Sequence, residues 1–282
     1  MRRDMLLFRG IAAAVFAGLL MLATSGQAAL TDNLEGYWTF DSDGSDSSGN
    51  SRDFTMFGSP SFVSGLIGNA VDMDGTDDYG QRNADDEAFD LGSADFTIQA
   101  WVNFPATDFN ANLKILEKTS NDGAPSEDGY DFFYHNPGGG TNSAYVSNDV
   151  NATLSISGPV GAVETIDTWH QIIFRRTGTA QEMIRDTAVL LNNTVGAADA
   201  YGNSTAGLVV GAFFNEATNV AGSLMTGKLD EVAIWSRALS DPEIATLYNG
   251  GNGQAVPEPA TMALLGLGGL ALIALGRRRR SE

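Results

Sequence analysis

Between residues 29 and 240 the apolar residues of this chain come only in short runs, and none of them keeps a helical period. Gly-Asn, Asp-Gly and Asn-Asp-Gly steps cut the runs apart. A helix needs apolar residues three and four apart over ten or more positions, whereas short alternating runs punctuated by turn residues give strands. The chain is therefore constrained to many short strands, which means a sandwich or jelly roll. The clearest strand is 96–104. There Phe96, Ile98, Ala100, Val102 and Phe104 alternate onto one face, and Thr97, Gln99, Trp101 and Asn103 onto the other. Further strands are expected at 36–40, 70–73, 114–118, 130–135, 169–175, 208–212 and 228–235. One short helix is expected over 241–249. Ser240 and Glu243 have capping-box spacing, Pro242 suits the first turn, and Gly250-Gly251 ends it.

Both ends of the chain differ from this middle. Arg2, Arg3 and Arg9 precede an apolar run from Ile11 to Leu22, and Gly26-Gln27-Ala28 follows with small residues where a signal peptidase reads them. Residues 1–28 are thus a cleaved secretion signal, since the apolar run falls short of a membrane span. At the other end Val256-Pro257-Glu258-Pro259 leads into the apolar stretch 260–276 and then Arg277 to Arg280. An apolar segment with a basic terminus is a membrane helix whose charged end stays cytoplasmic. Its 17 residues are at the short limit for spanning.

The ordered series of Pro257, Glu258 and Pro259, an apolar helix and an arginine cluster resembles the PEP-CTERM sorting signal. That resemblance implies processing by an exosortase-type membrane protease. The division expected is signal peptide 1–28, one β domain 29–251, a linker 252–255 and a sorting segment 256–282. Of 35 acidic and 16 basic residues, 32 and 9 lie between Ala29 and Ala255, so the exported part carries −23. Such a surface excludes nucleic acid and anionic lipid as partners and attracts cations. There is no cysteine, so neither disulfides nor an N-terminal lipid anchor is available.

Three segments resemble the LamG-like jelly rolls, relatives of concanavalin A-type lectins and laminarinase-type glucanases. They are Gly36-Tyr37-Trp38-Thr39-Phe40-Asp41, residues 68–79 with 96–102, and the run from Gly227-Lys228-Leu229-Asp230-Glu231 through Ser240. Trp169-His170 fits the family's Trp-His strand start. The resemblance spans Leu34 to Tyr248 and implies an all-β, concanavalin A-like jelly-roll β-sandwich with one short C-terminal helix. The hairpin after Phe174 departs from the family, with Met183-Ile184-Arg185-Asp186 where a Val-Asp-Gly turn is usual.

Asp41, Asp43 and Asp46 crowd one turn, but the glycine and glutamate of an EF-hand loop are missing from their places. The resemblance implies a structural calcium (Ca2+) between the first and last strands, held by Asp41 and Asp230. The competing reading is that both aspartates only accept backbone N–H bonds in turns. For catalysis, glycoside hydrolysis needs two carboxyls facing each other across the scissile bond. No strand carries the alternating acids of the glucanases. Asp85-Asp86-Glu87 are contiguous in a loop, and Asp230 and Glu231 are expected on opposite faces. The expectation is no enzyme. Trp101, flanked by Gln99 and Asn103 on the polar side of its strand, is the candidate sugar-stacking group; burial beneath a loop is the commoner fate of a tryptophan. Three functions stay open: an exported surface or matrix protein binding extracellular polysaccharide or another partner, a glycan-cleaving enzyme without the usual motif, and a structural coat protein.

Overall fold

The computed structural model describes residues 29–82, 85–105, 112–119, 129–135, 143–147, 154, 156–159, 167–201, 204–215 and 218–257. The signal segment 1–28, Glu258, Pro259, the apolar stretch 260–276 and the terminal arginines lie outside the described residues. Among those described, no helix is long and apolar enough to cross a membrane.

The described strands are, in chain order, β1 (Leu34–Trp38), β2 (Thr55–Phe57), β3 (Ser61–Ser64), β4 (Asn69–Asp74), β5 (Tyr79–Arg82), β6 (Phe96–Asn103), β7 (Asn112–Thr119), β8 (Gly129–His135), β9 (Ser143–Ser147), β10 (Ile156–Pro159), β11 (Trp169–Thr177), β12 (Ala180–Arg185), β13 (Ala188–Thr194), β14 (Leu208–Val210), β15 (Phe213–Asn215), β16 (Val220–Gly222) and β17 (Thr226–Trp235). All pair antiparallel. One sheet runs β13-β12-β11-β6-β17-β4-β3, with β1 also paired to β17. The second runs β10-β9-β8-β7-β14-β5-β2, and β15 and β16 form a separate hairpin. Non-sequential neighbours in both sheets make this a jelly roll.

The alternation in β6 sets the two layers. Phe96, Ile98, Ala100, Val102 and Phe104 all enter the main core between the sheets, with Trp38, Phe132, Phe174 and Ile234. The opposite face of the larger sheet is also covered. Helix α1 (Asp241–Tyr248) lies over it, closing a second core of Tyr37, Ile173, Trp235, Ile244 and Leu247. The helix starts as its sequence implies: the Glu243 carboxylate accepts the Ser240 backbone N–H at 2.8 Å and its hydroxyl at 2.7 Å. It stops at Asn249 in the left-handed conformation.

Two local features differ from expectation. The segment 252–255 is not a free linker. Gly253 and Gln254 donate to the carbonyls of Tyr248 and Leu247, and Val256 is 2% exposed in the second core. The domain therefore ends at the doorstep of Pro257. The other feature is the unusual hairpin between β12 and β13, which turns on Asp186 and Thr187, both with positive φ (50° and 73°). Two positive-φ residues match the twist of a tight hairpin. Asp186 also accepts the Gln171 N–H at 3.0 Å and binds His170 Nδ1 at 2.6 Å, which offsets the strain. His170 is held as a structural residue.

Candidate functional site: a buried carboxylate cluster at the last strand

The last long strand, β17, carries an irregularity. Asp230 pairs with Trp101 of β6 and Ala233 pairs with Gln99, so β17 spends one extra residue between those positions. The extra residue is accommodated with Glu231 at φ 51°, in the left-handed region. A bulge of this kind breaks the two-residue alternation. The expected opposition of Asp230 and Glu231 is thereby corrected. Glu231 reaches the Tyr37 hydroxyl, in the second core beneath α1, on the side where Asp230 stands opposite Trp101.

Both carboxyls are sealed from solvent, Asp230 at 0% and Glu231 at 1% exposure. Asp230 Oδ2 accepts the N–H groups of Leu66 (2.9 Å) and Ile67 (3.0 Å), in the turn between β3 and β4. Asp41 grips the same turn from its other end, its Oδ1 accepting the Asn69 N–H at 2.7 Å and its carbonyl the Asn69 amide at 2.9 Å. Side chains at Gly65 and Gly68 would collide with these carboxylates: a Cβ would stand 2.6 Å from Asp230 Oδ2 and 2.2 Å from Asp41 Oδ1. So Asp41 and Asp230, 189 positions apart in the chain, do meet at one turn.

The electrostatics are unbalanced. Burial pushes the Asp230 carboxyl up to about 7, against the two loop N–H donors, and the charge of Asp41 adds to the rise. Burial pushes Glu231 up to about 8, with Asp230 and Asp41 adding to it and the Tyr37 hydrogen bond opposing. Tyr37 is itself shifted upward by burial and by Glu231. One oxygen of each buried acid, Asp230 Oδ1 and Glu231 Oε1, has no hydrogen-bond partner. Among the described residues no lysine or arginine pairs with Asp41, Asp230 or Glu231. Orphaned buried carboxylate oxygens without a counter-charge are costly, and oxygen donors of this type suit a hard cation. The donor set thus fits calcium, while the loop hydrogen bonds fulfil the turn-capping role as well.

The residues expected to meet a sugar are differently placed. Trp101 and Gln99 are both 0% exposed. The indole of Trp101 stacks on Tyr248 of α1, ring centres 5.8 Å apart, and Gln99 donates to the Glu231 carbonyl at 3.3 Å. The helix covers the polar side of β6, so only half-buried Asn103 at its end remains accessible.

A second acidic group has no counterpart among the expectations from sequence. Glu117 of β7 and Asp131 of β8 stand directly opposite each other, with Lys114 between their carboxylates. Residues 114 and 117 would take opposite faces of a regular strand. A register shift between Lys114 and Leu116 places them on one face, beneath the β15–β16 hairpin, where Glu117 Oε1 accepts the Phe214 N–H at 3.2 Å. Burial pushes Glu117 up to about 7, with Lys114 opposing. Asp74, Asp77 and Asp78 also gather, but Asp74 Oδ1 accepts the Thr76 N–H at 2.7 Å and Asp78 Oδ2 the Asp74 N–H at 3.1 Å, the bonds of a tight turn.

Known proteins resemble this chain in sequence pattern and in shape. A family model described as the concanavalin A-like lectin/glucanases superfamily matches residues 74–245. A PEP-CTERM protein-sorting motif matches residues 255–280. No curated protein matches in sequence. Among solved structures, the binding domain of Paraclostridial Mosquitocidal Protein 1 superposes with TM-score 0.60 at 16% identity, over 78% of this chain and 53% of that one. Domain 4 of AbnA, an extracellular arabinanase from Geobacillus stearothermophilus, in complex with arabinotriose, gives 0.57 at 16%, over 79% and 98%. The receptor binding domain of botulinum neurotoxin C/D mosaic serotype gives 0.59 at 12%, over 78% and 52%. This chain spans about half the length of the two toxin domains.

Proposed function

This chain belongs to the concanavalin A-like lectin/glucanases superfamily, and we propose that it is an exported, non-catalytic surface or matrix protein that binds extracellular carbohydrate. The observation that carries this reading is the direct junction of a lectin-type sandwich to a sorting motif, with Val256 buried in the domain and the motif match beginning at residue 255. Of the neighbours with the same fold, two are binding domains and a third, domain 4 of the arabinanase, is in complex with arabinotriose.

Its carboxyl pairs argue against hydrolysis. Glu117 and Asp131 are bridged by Lys114 at 1% and 9% exposure, and Asp230 and Glu231 are sealed beneath the chain. A hydrolase needs its acid and base open to a sugar and a water. Calcium is part of the proposal. Asp41 and Asp230 hold it, and its charge offsets the buried negative cluster at the joint between the first turn and the last strand. An exosortase-type enzyme processes the tail at Pro257, Glu258 and Pro259, and before processing the stretch 260–276 anchors the chain in the membrane.

A glycan array probed with the exported chain, Ala29 to Pro257, tests the reading. Among the described residues, that span contains every member of the hydrophobic cores. Binding without release of reducing sugar is expected. Sugar release would make it an enzyme, and silence in both assays a coat protein. Mass spectrometry of the mature surface protein tests the sorting, and a peptide retaining Leu264 to Leu275 would refute removal of the tail.

A further inference from the structure

Helix α1 covers only one part of the outer face of the larger sheet. Beyond it the strand registers line up one residue from each of five strands. Ser61 pairs with Asp72, Asp72 with Lys228, Lys228 with Asn103, and Asn103 with Trp169. Directly opposed residues of antiparallel strands share a face. These five therefore form one row across β3, β4, β17, β6 and β11. At a strand spacing of about 4.8 Å, the stretch from Asp72 to Trp169 is about 14 Å long. One step inward along the same face, Asp230, Trp101 and Gln171 are fully buried. In the outer row, Asp72, Lys228, Asn103 and Trp169 are only half-buried. A cleft of about 350 Å³ opens along the Asp72, Lys228 and Asn103 part of the row, lined also by Asp74 and Asp167, and Trp169 stands next to its Asn103 end.

The polar groups in this cleft do not satisfy one another. Among the described residues, the side chains of Asp72, Asn103, Asp167, Lys228 and Trp169 make no hydrogen bond or ion pair, although Asp72 and Lys228 are cross-strand neighbours. Elsewhere on the protein carboxylates are heavily engaged: Asp46 alone accepts from Tyr37, Ser48 and Arg52. The row thus offers a carboxylate, an amide and an ammonium, all unused, in line with the Trp169 indole, and Asp167 adds a second unused carboxylate in the cleft.

We propose that this row is a glycan-binding cleft for a neutral polysaccharide, with the Trp169 indole as stacking platform and Asp72, Asn103 and Lys228 bonding ring hydroxyls. The inference rests on the carbohydrate-binding reading and assigns it a place. Neighbouring hydroxyls of a sugar match a carboxylate that accepts from both of them, or an amide that accepts and donates side by side, while the face of the ring suits an aromatic plane. The charge selects the class. Asp72, Asp74 and Asp167 outnumber Lys228 in the cleft, and the exported domain carries a large negative excess. Uronic-acid and sulfated chains are repelled, and uncharged hexose or pentose chains are not.

The test is affinity electrophoresis of Ala29 to Pro257, in calcium, through gels containing arabinan, a mixed-linkage β-glucan, a mannan or alginate. At least one neutral polymer should retard the wild-type chain and alginate should not. Trp169→Ala and the double variant Asp72→Ala/Asn103→Ala should each weaken that retardation about tenfold or more, equivalent to ~1.4 kcal/mol. Both lie outside the hydrophobic cores, and Trp169→Phe, which keeps an aromatic plane, should lose less than Trp169→Ala. Unchanged retardation of all variants by a neutral polymer would overturn the site and leave the binding function standing. Retardation by alginate alone would overturn the ligand class. Absence of retardation by every polymer would overturn both the site and the binding reading.

Discussion

Among the described residues two pairs of acids are buried, one on each sheet, and they are balanced in opposite ways. On the smaller sheet Glu117 and Asp131 share Lys114, which also lies over the Phe133 ring at 4.4 Å. On the larger sheet Asp230 and Glu231 have backbone N–H groups and a tyrosine hydroxyl and, among the described residues, no cationic side chain. Each group exists because a bulge puts two residues on one face that a regular strand would separate. The first is a closed circuit that the chain completes by itself. The second carries net negative charge that only protonation or an external cation can offset, so it should respond to ions where the first does not, and the two should differ in their response to mutation.

The largest effect is expected from removing the internal cation. Lys114→Met keeps the length of the side chain and strands two buried carboxyls. It should cost about 3–5 kcal/mol in denaturant unfolding at neutral pH, with less cost near pH 5, where Glu117 is protonated. Loss of the same size at both pH values would show that Lys114 acts through packing.

pH probes both groups at once. Glu117, Asp230 and Glu231 all have folded values above their ordinary ones, so the native state binds protons more tightly than the unfolded chain. Their stabilising contribution is complete below about pH 4 and is lost as pH rises through about 7 to 8. In chelator, stability should fall on the order of 3 kcal/mol for each of these groups between pH 5 and 8, since each tenfold difference in proton affinity between the folded and unfolded chain is worth about 1.4 kcal/mol. Saturating calcium should remove the share of Asp230 and leave that of Glu117. A flat profile in chelator would contradict all three shifts.

Calcium itself separates the groups. At a hundredfold excess over its dissociation constant it should raise wild-type stability by about 2.7 kcal/mol. Lys114→Met should keep that gain, and Asp230→Asn should lose it. If calcium and chelator leave the wild-type melting curve unchanged, Asp41 and Asp230 serve the turn alone.

The smallest expected effect belongs to Tyr37→Phe. The hydroxyl donates to Glu231 and accepts the Val256 N–H at 3.2 Å. Its removal should cost about 1–2 kcal/mol and loosen the segment before Pro257, read as faster amide exchange at Val256. Exchange at Val256 unchanged from wild type would show that the residue is held by its apolar contacts.

Local pattern was enough to set the layers. The strict alternation in 96–104 could be satisfied only by a sheet with one face in a core, and the capping pair Ser240 and Glu243 placed the helix within a residue of where it lies. The pairing of Asp41 with Asp230 was legible only through family resemblance, because a separation of 189 positions hides it from any local pattern. Long-range packing settled every place where the alternation fails or is covered. Period two assigns Asp230 and Glu231 to opposite faces, and a single left-handed residue at Glu231 overrules it. The same period marks Gln99 and Trp101 as outward, which they are, but the helix that comes 140 residues later lies on top of them. The row from Asp72 to Trp169 was invisible for a related reason: alternation says which side of its own strand a residue takes, and only cross-strand register says which residues of other strands stand beside it.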